Sequence, residues 1–218
     1  MRIALIHALK HSIAPIEAAF AEIWPGAVLA NLLDDSLSAD LARAGSLQPV
    51  ITERFLTLAR YARASGADAI LFTCSAFGPC IEACARDLAP MPVLKPNEAM
   101  IEEALALAGP TGKIGLLATF PATLVSMPPE FTAAAPGLRV RTQLAEGALA
   151  ALDRGDGAAH DAAAAEAAKA LAQCDVVALG QFSLARAAAA VARASGRPVL
   201  STPGSAVHKL RRLLLARD

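Results

Sequence analysis

The sequence carries no surplus of charge: 20 Lys and Arg are matched by 20 Asp and Glu, and no block of like charge is larger than KLRR near the C-terminus. Phosphate backbones are gripped by concentrated basic surface, so nucleic acid is not an expected partner. Long apolar runs are also missing. IGLLATFPATLVSMPP is broken by prolines and falls short of the roughly 18 residues that a spanning helix requires, so no membrane partner is expected. Cysteine is sparse, with four residues at positions 74, 80, 84 and 174. Their C-x5-C-x3-C spacing lacks a His or Cys cluster at zinc-ligand intervals, so neither a disulfide framework nor a metal site is expected. The opening MRIALIHALKH has a basic residue and a short apolar run, but His7, Lys10 and His11 follow at once with no small-residue cleavage pattern. It reads as a first strand, and the protein is expected to be soluble and cytoplasmic.

What the sequence does have is apolar mass. Over 218 residues, 55% are hydrophobic and the mean hydropathy is +0.45, enough for one large domain or two small ones with substantial cores. Short apolar runs alternate with Ala-rich helical stretches from end to end. Strands are expected at 2–7, 27–31, 69–73, 92–94, 113–118, 138–142, 175–179 and 198–200. Helices are expected at 13–23, 48–64, 79–89, 97–108, 121–134, 159–172, 184–194 and 203–216, with Pro128 and Pro129 interrupting the fifth. Runs such as AILF and VVAL show no in/out alternation, so both faces of those strands are buried, as in a parallel sheet covered on each side by helices.

The chain also repeats itself. RIALIHAL at 2–9 aligns with KIGLLATF at 113–120, and GADAILFTCSAF at 66–77 with QCDVVALGQFSL at 173–184. Cys74 lies six positions after Asp68, and Gln181 six after Asp175. PVLKPNEAM from Pro92 and PVLSTPGSA from Pro198 follow those Asp residues by 24 and 23 positions. Three blocks in one order with matching gaps imply two similar halves. The expected fold is therefore α/β: two three-layer α/β/α halves, each with a parallel four-stranded sheet, related by a pseudo-twofold with a ligand cleft between them. In open parallel sheets ligands gather outside the carboxyl ends of the strands, which is where Cys74 and Gln181 fall.

Cys74 has Thr73 and Ser75 beside it and a Gly78-Pro79 turn just downstream. Pro suits the first turn of a helix, and free backbone N–H groups there bind a carboxylate and lower the pKa of a thiol. A thiolate near neutral pH is one expectation; a buried structural thiol is the other. Cys80 and Cys84, four apart on a predicted helix, and Cys174 before a strand read as small core residues. His7 ends the first strand at the same edge and is either an acid/base group or a structural hydrogen-bonding residue. Asp34, Asp35, Ser36 and Ser38 follow the second strand on the ligand edge, where they either contact a substrate amino group or hydroxyl or, for Ser36 and Ser38, act as N-caps. Asn97 and Glu98 cap a helix or line the ligand edge, and Lys95 is placed to neutralise an acid. His160 and Asp161 read as structural.

FTCSAFGP after a buried strand, its counterpart in the second half, and GKIGLLAT opening that half together resemble the aspartate/glutamate racemase superfamily, which includes glutamate, aspartate and hydantoin racemases, maleate isomerase and arylmalonate decarboxylase. The resemblance covers nearly the whole chain in architecture. It implies a cofactor-independent enzyme that binds a small carboxylate between two domains and works at the carbon next to that carboxylate. In the racemases a cysteine from each half moves the proton on opposite faces. By the same resemblance Cys74 is the first-half cysteine, Ser75 (with Thr73) a carboxylate-binding neighbour, and Thr119 the threonine ending the first strand of the second half. Gln181 stands where the second thiol belongs, followed by Phe182 and Ser183. An amide does not titrate, so Gln181 cannot be a base; it is suited to donating an N–H to developing oxyanion charge. The catalytic candidates are thus Cys74 and Gln181, and the binding candidates Thr73, Ser75, Thr119, Ser183, His7 and Asn97. A single-cysteine decarboxylase or isomerase, and a silent carboxylate-binding protein, stand as alternatives. The resemblance also implies a discontinuous first domain, 1–98 plus 204–218, around a second at 99–203. The large apolar fraction leads us to expect a homodimer.

Overall fold

The computed structural model describes residues 1–216. By internal packing the chain divides into two units: Met1–Pro96 with the chain from Ala206 onward, and Asn97–Ser205. Of the stretch expected in the first domain, residues 217–218 lie outside the described residues.

The first unit runs β1 (Arg2–His7), α1 (Ile13–Ile23), β2 (Val28–Leu33), α2 (Ser36–Ala44), α3 (Pro49–Ala64), β3 (Ala69–Phe72), α4 (Gly78–Leu88) and β4 (Val93–Leu94). All four strands are parallel, in the order β2-β1-β3-β4. The second unit repeats this with α5 (Glu98–Ala108), β5 (Lys113–Ala118), α6 (Pro121–Ala134), β6 (Arg139–Leu144), α7 (Ala148–Asp153), α8 (Gly157–Ala168), β7 (Val176–Leu179), α9 (Ala188–Ser195) and β8 (Val199–Ser201), in the order β6-β5-β7-β8. A last helix, α10 (Thr202–Leu215), begins in the second unit and continues into the first. The expected α/β architecture of two parallel four-stranded sheets is the observed one.

The duplicated sequence blocks have a physical counterpart. Arg2 N–H donates to the Asp68 carboxylate at 2.7 Å, and Lys113 N–H to that of Asp175 at 2.7 Å. Each Asp backbone N–H returns a bond to the carbonyl of that same strand-opening residue, at 2.8 Å in both units. The carboxylate therefore clamps the amino end of the central strand pair twice over, and it sets the register that puts residues 74 and 181 at equivalent places.

Burial on both faces explains the unbroken apolar strands. In the second unit Leu116, Val176 and Ala178 pack with Met127 and Phe131 of α6, while their neighbours Leu117, Val177 and Leu179 pack on the other face with Ala164, Leu171 and Val191. In the first, Phe55 of α3 meets Phe72 of β3 at 5.1 Å and Phe77 at 4.9 Å between ring centroids.

Two helices escape the sequence reading. α2 is short and polar, ended by Gly45 in the left-handed region at φ 71°, and no helix is expected from the sequence between 31 and 48. Ser36 and Ser38 are not caps: Ser36 Oγ donates to Asp34 at 2.6 Å and Ser38 Oγ to the Ala8 carbonyl at 2.7 Å. α7 has only six residues, too few for a periodic signal. Pro128 and Pro129 do not interrupt α6, which runs through both. The carbonyls of Leu124 and Val125 lose their N–H partners to these prolines, and Val125 is 77% exposed, where water can replace them, while Met127 and Phe131 are fully buried and anchor the helix. Among the described residues no helix is long and apolar enough to cross a membrane.

Phe55→Ala removes the ring that both Phe72 and Phe77 pack against. We expect a loss of about 3–5 kcal/mol in unfolding free energy, read from urea denaturation; a change below about 1 kcal/mol would mean that the cluster carries little of the fold.

Candidate active site

In each unit the ladder runs one step past the central strands before the chain turns. Thr73 N–H donates to Ile6 O at 3.0 Å and Gly180 N–H to Leu117 O at 2.9 Å, while Asp34 N–H reaches His7 O and Ala145 N–H reaches Ala118 O. Cys74 and Gln181 are the next residues, both in extended conformation at the head of a 3-10 turn.

In the first unit the 3-10 turn Ser75–Phe77 carries the chain into α4. Phe72 and Phe77, both held by Phe55, flank the stretch Thr73–Ala76 and fix its path. Thr73 and Ser75 are buried, and Cys74 is half-buried. The expected thiolate is not what this environment favours. Burial pushes the Cys74 thiol up to about 11, and the Ala76 N–H and the Ser38 hydroxyl oppose the rise only in part. The reason is local: a 3-10 turn stands between Cys74 and α4, so the α-helical N–H groups open a turn further on. Cys80, Cys84 and Cys174 are fully or almost fully buried, as core residues are.

His7 is completely buried. Nδ1 lies 2.8 Å from Thr73 Oγ1 and Nε2 2.9 Å from Asn31 Oδ1, and burial lowers its pKa despite the Asn31 bond and the Glu17 charge. Both ring nitrogens are engaged, which is the structural hydrogen-bonding alternative.

In the second unit Thr119 donates twice to Gln181 Oε1, from its backbone N–H at 2.5 Å and its hydroxyl at 3.0 Å. A backbone N–H can only donate, so the atom it faces is the amide oxygen, and the NH2 is the end left over for a ligand. Ser183, two residues on, is buried with its hydroxyl unpaired. Gly180, which occupies the place of Thr73, is closely packed: a Cβ would sit 3.1 Å from Leu116, Met127 and Thr123, which would have to give by a few tenths of an ångström.

The candidates thus fall into two sets, His7, Thr73, Cys74 and Ser75 at one carboxyl edge and Thr119, Gln181 and Ser183 at the other. Asn97 joins neither. It heads α5 without capping it, donates to Glu130 at 3.1 Å, and its buried Oδ1 has no partner. Lys95 pairs with Glu82 at 2.9 Å. Asn31 was missed as part of the first set; its available signal was an amide inside the apolar strand VLANLL. Ser38, read from the sequence as lying on the ligand edge after the second strand, comes to residue 74 through the way α2 folds back. No group of three or more metal-ligating side chains occurs among the described residues.

A thiol titrating near 11 holds about one hundredth of the thiolate of one titrating at 9. Iodoacetamide should therefore label Cys74 in the native protein roughly a hundredfold more slowly at pH 7.5 than it labels an unfolded peptide, with the rate still climbing above pH 9. Mass spectrometry of the labelled site gives the profile, and a plateau below pH 8 would contradict the protonated thiol.

Comparison with known proteins supplies the context for this geometry. The family model for Asp/Glu/Hydantoin racemase matches residues 15–210. No curated protein matches the chain. Glutamate racemase from Francisella tularensis subsp. tularensis SCHU S4, solved with D-glutamate, is similar at a TM-score of 0.78 and 15% identity, over 99% of this chain and 81% of that one. Allantoin racemase from Klebsiella pneumoniae is similar at 0.74 and 22% identity, over 99% and 88%. An unliganded arylmalonate decarboxylase follows the same fold at 0.60 and 16% identity, over 97% and 92%. At these identities the structures speak for the fold, and the match over residues 15–210 speaks for the lineage: the chain belongs to the Asp/Glu/Hydantoin racemase family and is an enzyme of the racemase/isomerase type.

Proposed function

We propose that this enzyme moves a proton at the carbon next to the carboxylate of a small acid, with Cys74 as the proton carrier. The observation that carries this reading is a half-buried thiol, held protonated, two residues beyond the carboxyl end of a buried strand. In one turnover the thiolate fraction of Cys74 takes the α-proton: the C–H bond breaks, an S–H bond forms, and the C–H electron pair stays on the substrate as an enolate. The S–H bond, its hydrogen exchangeable with solvent, then breaks to return a proton to that carbon, and its electron pair goes back to sulfur as thiolate. Ser75 is the polar neighbour assigned to the substrate at this edge, the Thr73 hydroxyl being turned to His7.

Gln181 takes no proton at any step. Its amide oxygen is occupied by Thr119, which supports a role for the NH2 as donor to a carboxylate or enolate oxygen, where a preorganised dipole acts on developing charge. Ser183 has an unpaired hydroxyl that supports the same kind of role. With one carrier and one donor, proton return to the face it left outruns delivery to the opposite face.

A second reading, single-cysteine decarboxylation or isomerisation, is favoured by the same protonated sulfur. When a C–C bond to a carboxylate breaks, CO2 leaves, the pair remains on the α-carbon, and Cys74 supplies the proton. The four free cysteines support a reducing, cytoplasmic setting. Exposed apolar side chains such as Val28, Val50 and Tyr61 support a homodimer. No cofactor is part of either reading.

The test is incubation in D2O with amino acids, hydantoins, 2-substituted malonates and maleate, following α-deuteration, chirality and CO2 release. We expect deuteration faster than inversion. Cys74→Ala should abolish exchange, and Gln181→Leu should lower the turnover rate by about 100-fold, the scale of one lost oxyanion donor. Exchange that survives Cys74→Ala removes that residue from the mechanism; binding without turnover identifies a silent carboxylate-binding protein.

A further inference from the structure

Behind Thr73 a chain of hydrogen bonds leads from the protein surface to the edge of β3. Asn31 Nδ2 donates to Glu17 Oε1 at 2.8 Å, Asn31 Oδ1 lies 2.9 Å from His7 Nε2, and His7 Nδ1 lies 2.8 Å from Thr73 Oγ1. Chemistry fixes the direction of every bond. A carboxylate only accepts, so the Asn31 amide turns its NH2 to Glu17 and its oxygen to the imidazole. The imidazole nitrogen facing that oxygen must carry the hydrogen, because two acceptors cannot share a 2.9 Å contact. His7 is thereby the Nε2–H tautomer, its Nδ1 is an acceptor, and the Thr73 hydroxyl donates to it. Burial independently disfavours the imidazolium that would upset this order. The alternative acceptor for the hydroxyl, Ile6 O, is distant at 3.4 Å.

We propose that Glu17, Asn31 and His7 are positioning residues for proton transfer: they commit the Thr73 hydroxyl to donating inward and so hold the peptide that carries Cys74. Thr73 and Cys74 are adjacent in the chain, so the hydroxyl bond to His7 and the Thr73 N–H bond to Ile6 O together fix the peptide from which the sulfur projects. His7 acts through Thr73 and does not exchange protons with substrate, since it is fully buried with both nitrogens engaged. The inference rests on Cys74 as the proton carrier, whereas the tautomer of His7 does not.

Two measurements on the full-length protein test it. Imidazole 15N NMR at pH 7 should show His7 as Nε2–H in the wild type, shifting toward Nδ1–H in Asn31→Leu and to a mixture in Glu17→Ala. Glu17 is exposed, so Glu17→Ala should keep the wild-type melting temperature while slowing α-deuterium exchange roughly three- to tenfold, the usual scale of coupling within one network. The loss should fall on kcat rather than KM. Thr73→Val should be slow and Thr73→Ser should restore the rate. An Nδ1–H or imidazolium His7 in the wild type overturns the relay, as does a Glu17→Ala variant with unaltered tautomer and rate. If Cys74→Ala abolishes exchange while Glu17→Ala leaves it untouched, the positioning role falls and the role of Cys74 stands. If the wild type exchanges no substrate, the role of Cys74 falls and the relay is decided by the tautomer alone.

Discussion

Everything chemical in this protein depends on the burial of both faces of its central strands. β1, β3, β5 and β7 are apolar along nearly their whole length, because helices cover the sheet above and below. No polar side chain can be spent in the middle of such a strand without losing its water. Reactive groups are therefore confined to the ends, where the ladder stops and side chains can meet solvent or ligand. The bonds from Thr73 to Ile6 and from Gly180 to Leu117 extend the ladder one residue further, so that Cys74 and Gln181 each start from a rigid root.

The two units are alike at the amino ends of their central strands and unlike at the carboxyl ends. At the amino ends Asp68 and Asp175 make the same clamp on Arg2 and Lys113. At the carboxyl ends the equivalent positions carry opposite chemistry. His7 and Thr73 form a buried polar pair in the first unit; Ala118 and Gly180 stand in their places in the second, with Leu116, Met127 and Thr123 closed over the glycine. Cys74 carries a proton, while Gln181 carries a dipole whose orientation Thr119 sets. A duplicated scaffold can support this divergence because the clamp and the core, rather than the edge residues, hold the strands in register.

Much of this was legible in the linear chain. Unalternating apolar runs identified the parallel strands, the repeat of Asp and then six residues located equivalent edges, and the amide at 181 excluded a base at that position on chemical grounds alone. Short helices were not legible, since α2 and α7 offer too few turns for a periodicity. Pro128 and Pro129 misled, because a proline signals a break only where its freed carbonyl partners cannot be hydrated.

Residue types, strand directions and the inability of Gln181 to titrate were determined by the sequence itself, for these depend on covalent structure and local pattern. The protonation of Cys74, the tautomer of His7 and the orientation of Gln181 were decided only by tertiary structure. Each is set by partners far along the chain: His7 meets Thr73 across 66 residues and Asn31 across 24, and Thr119 meets Gln181 across 62. Desolvation and hydrogen-bond direction are properties of such neighbourhoods, and no single stretch of chain contains one.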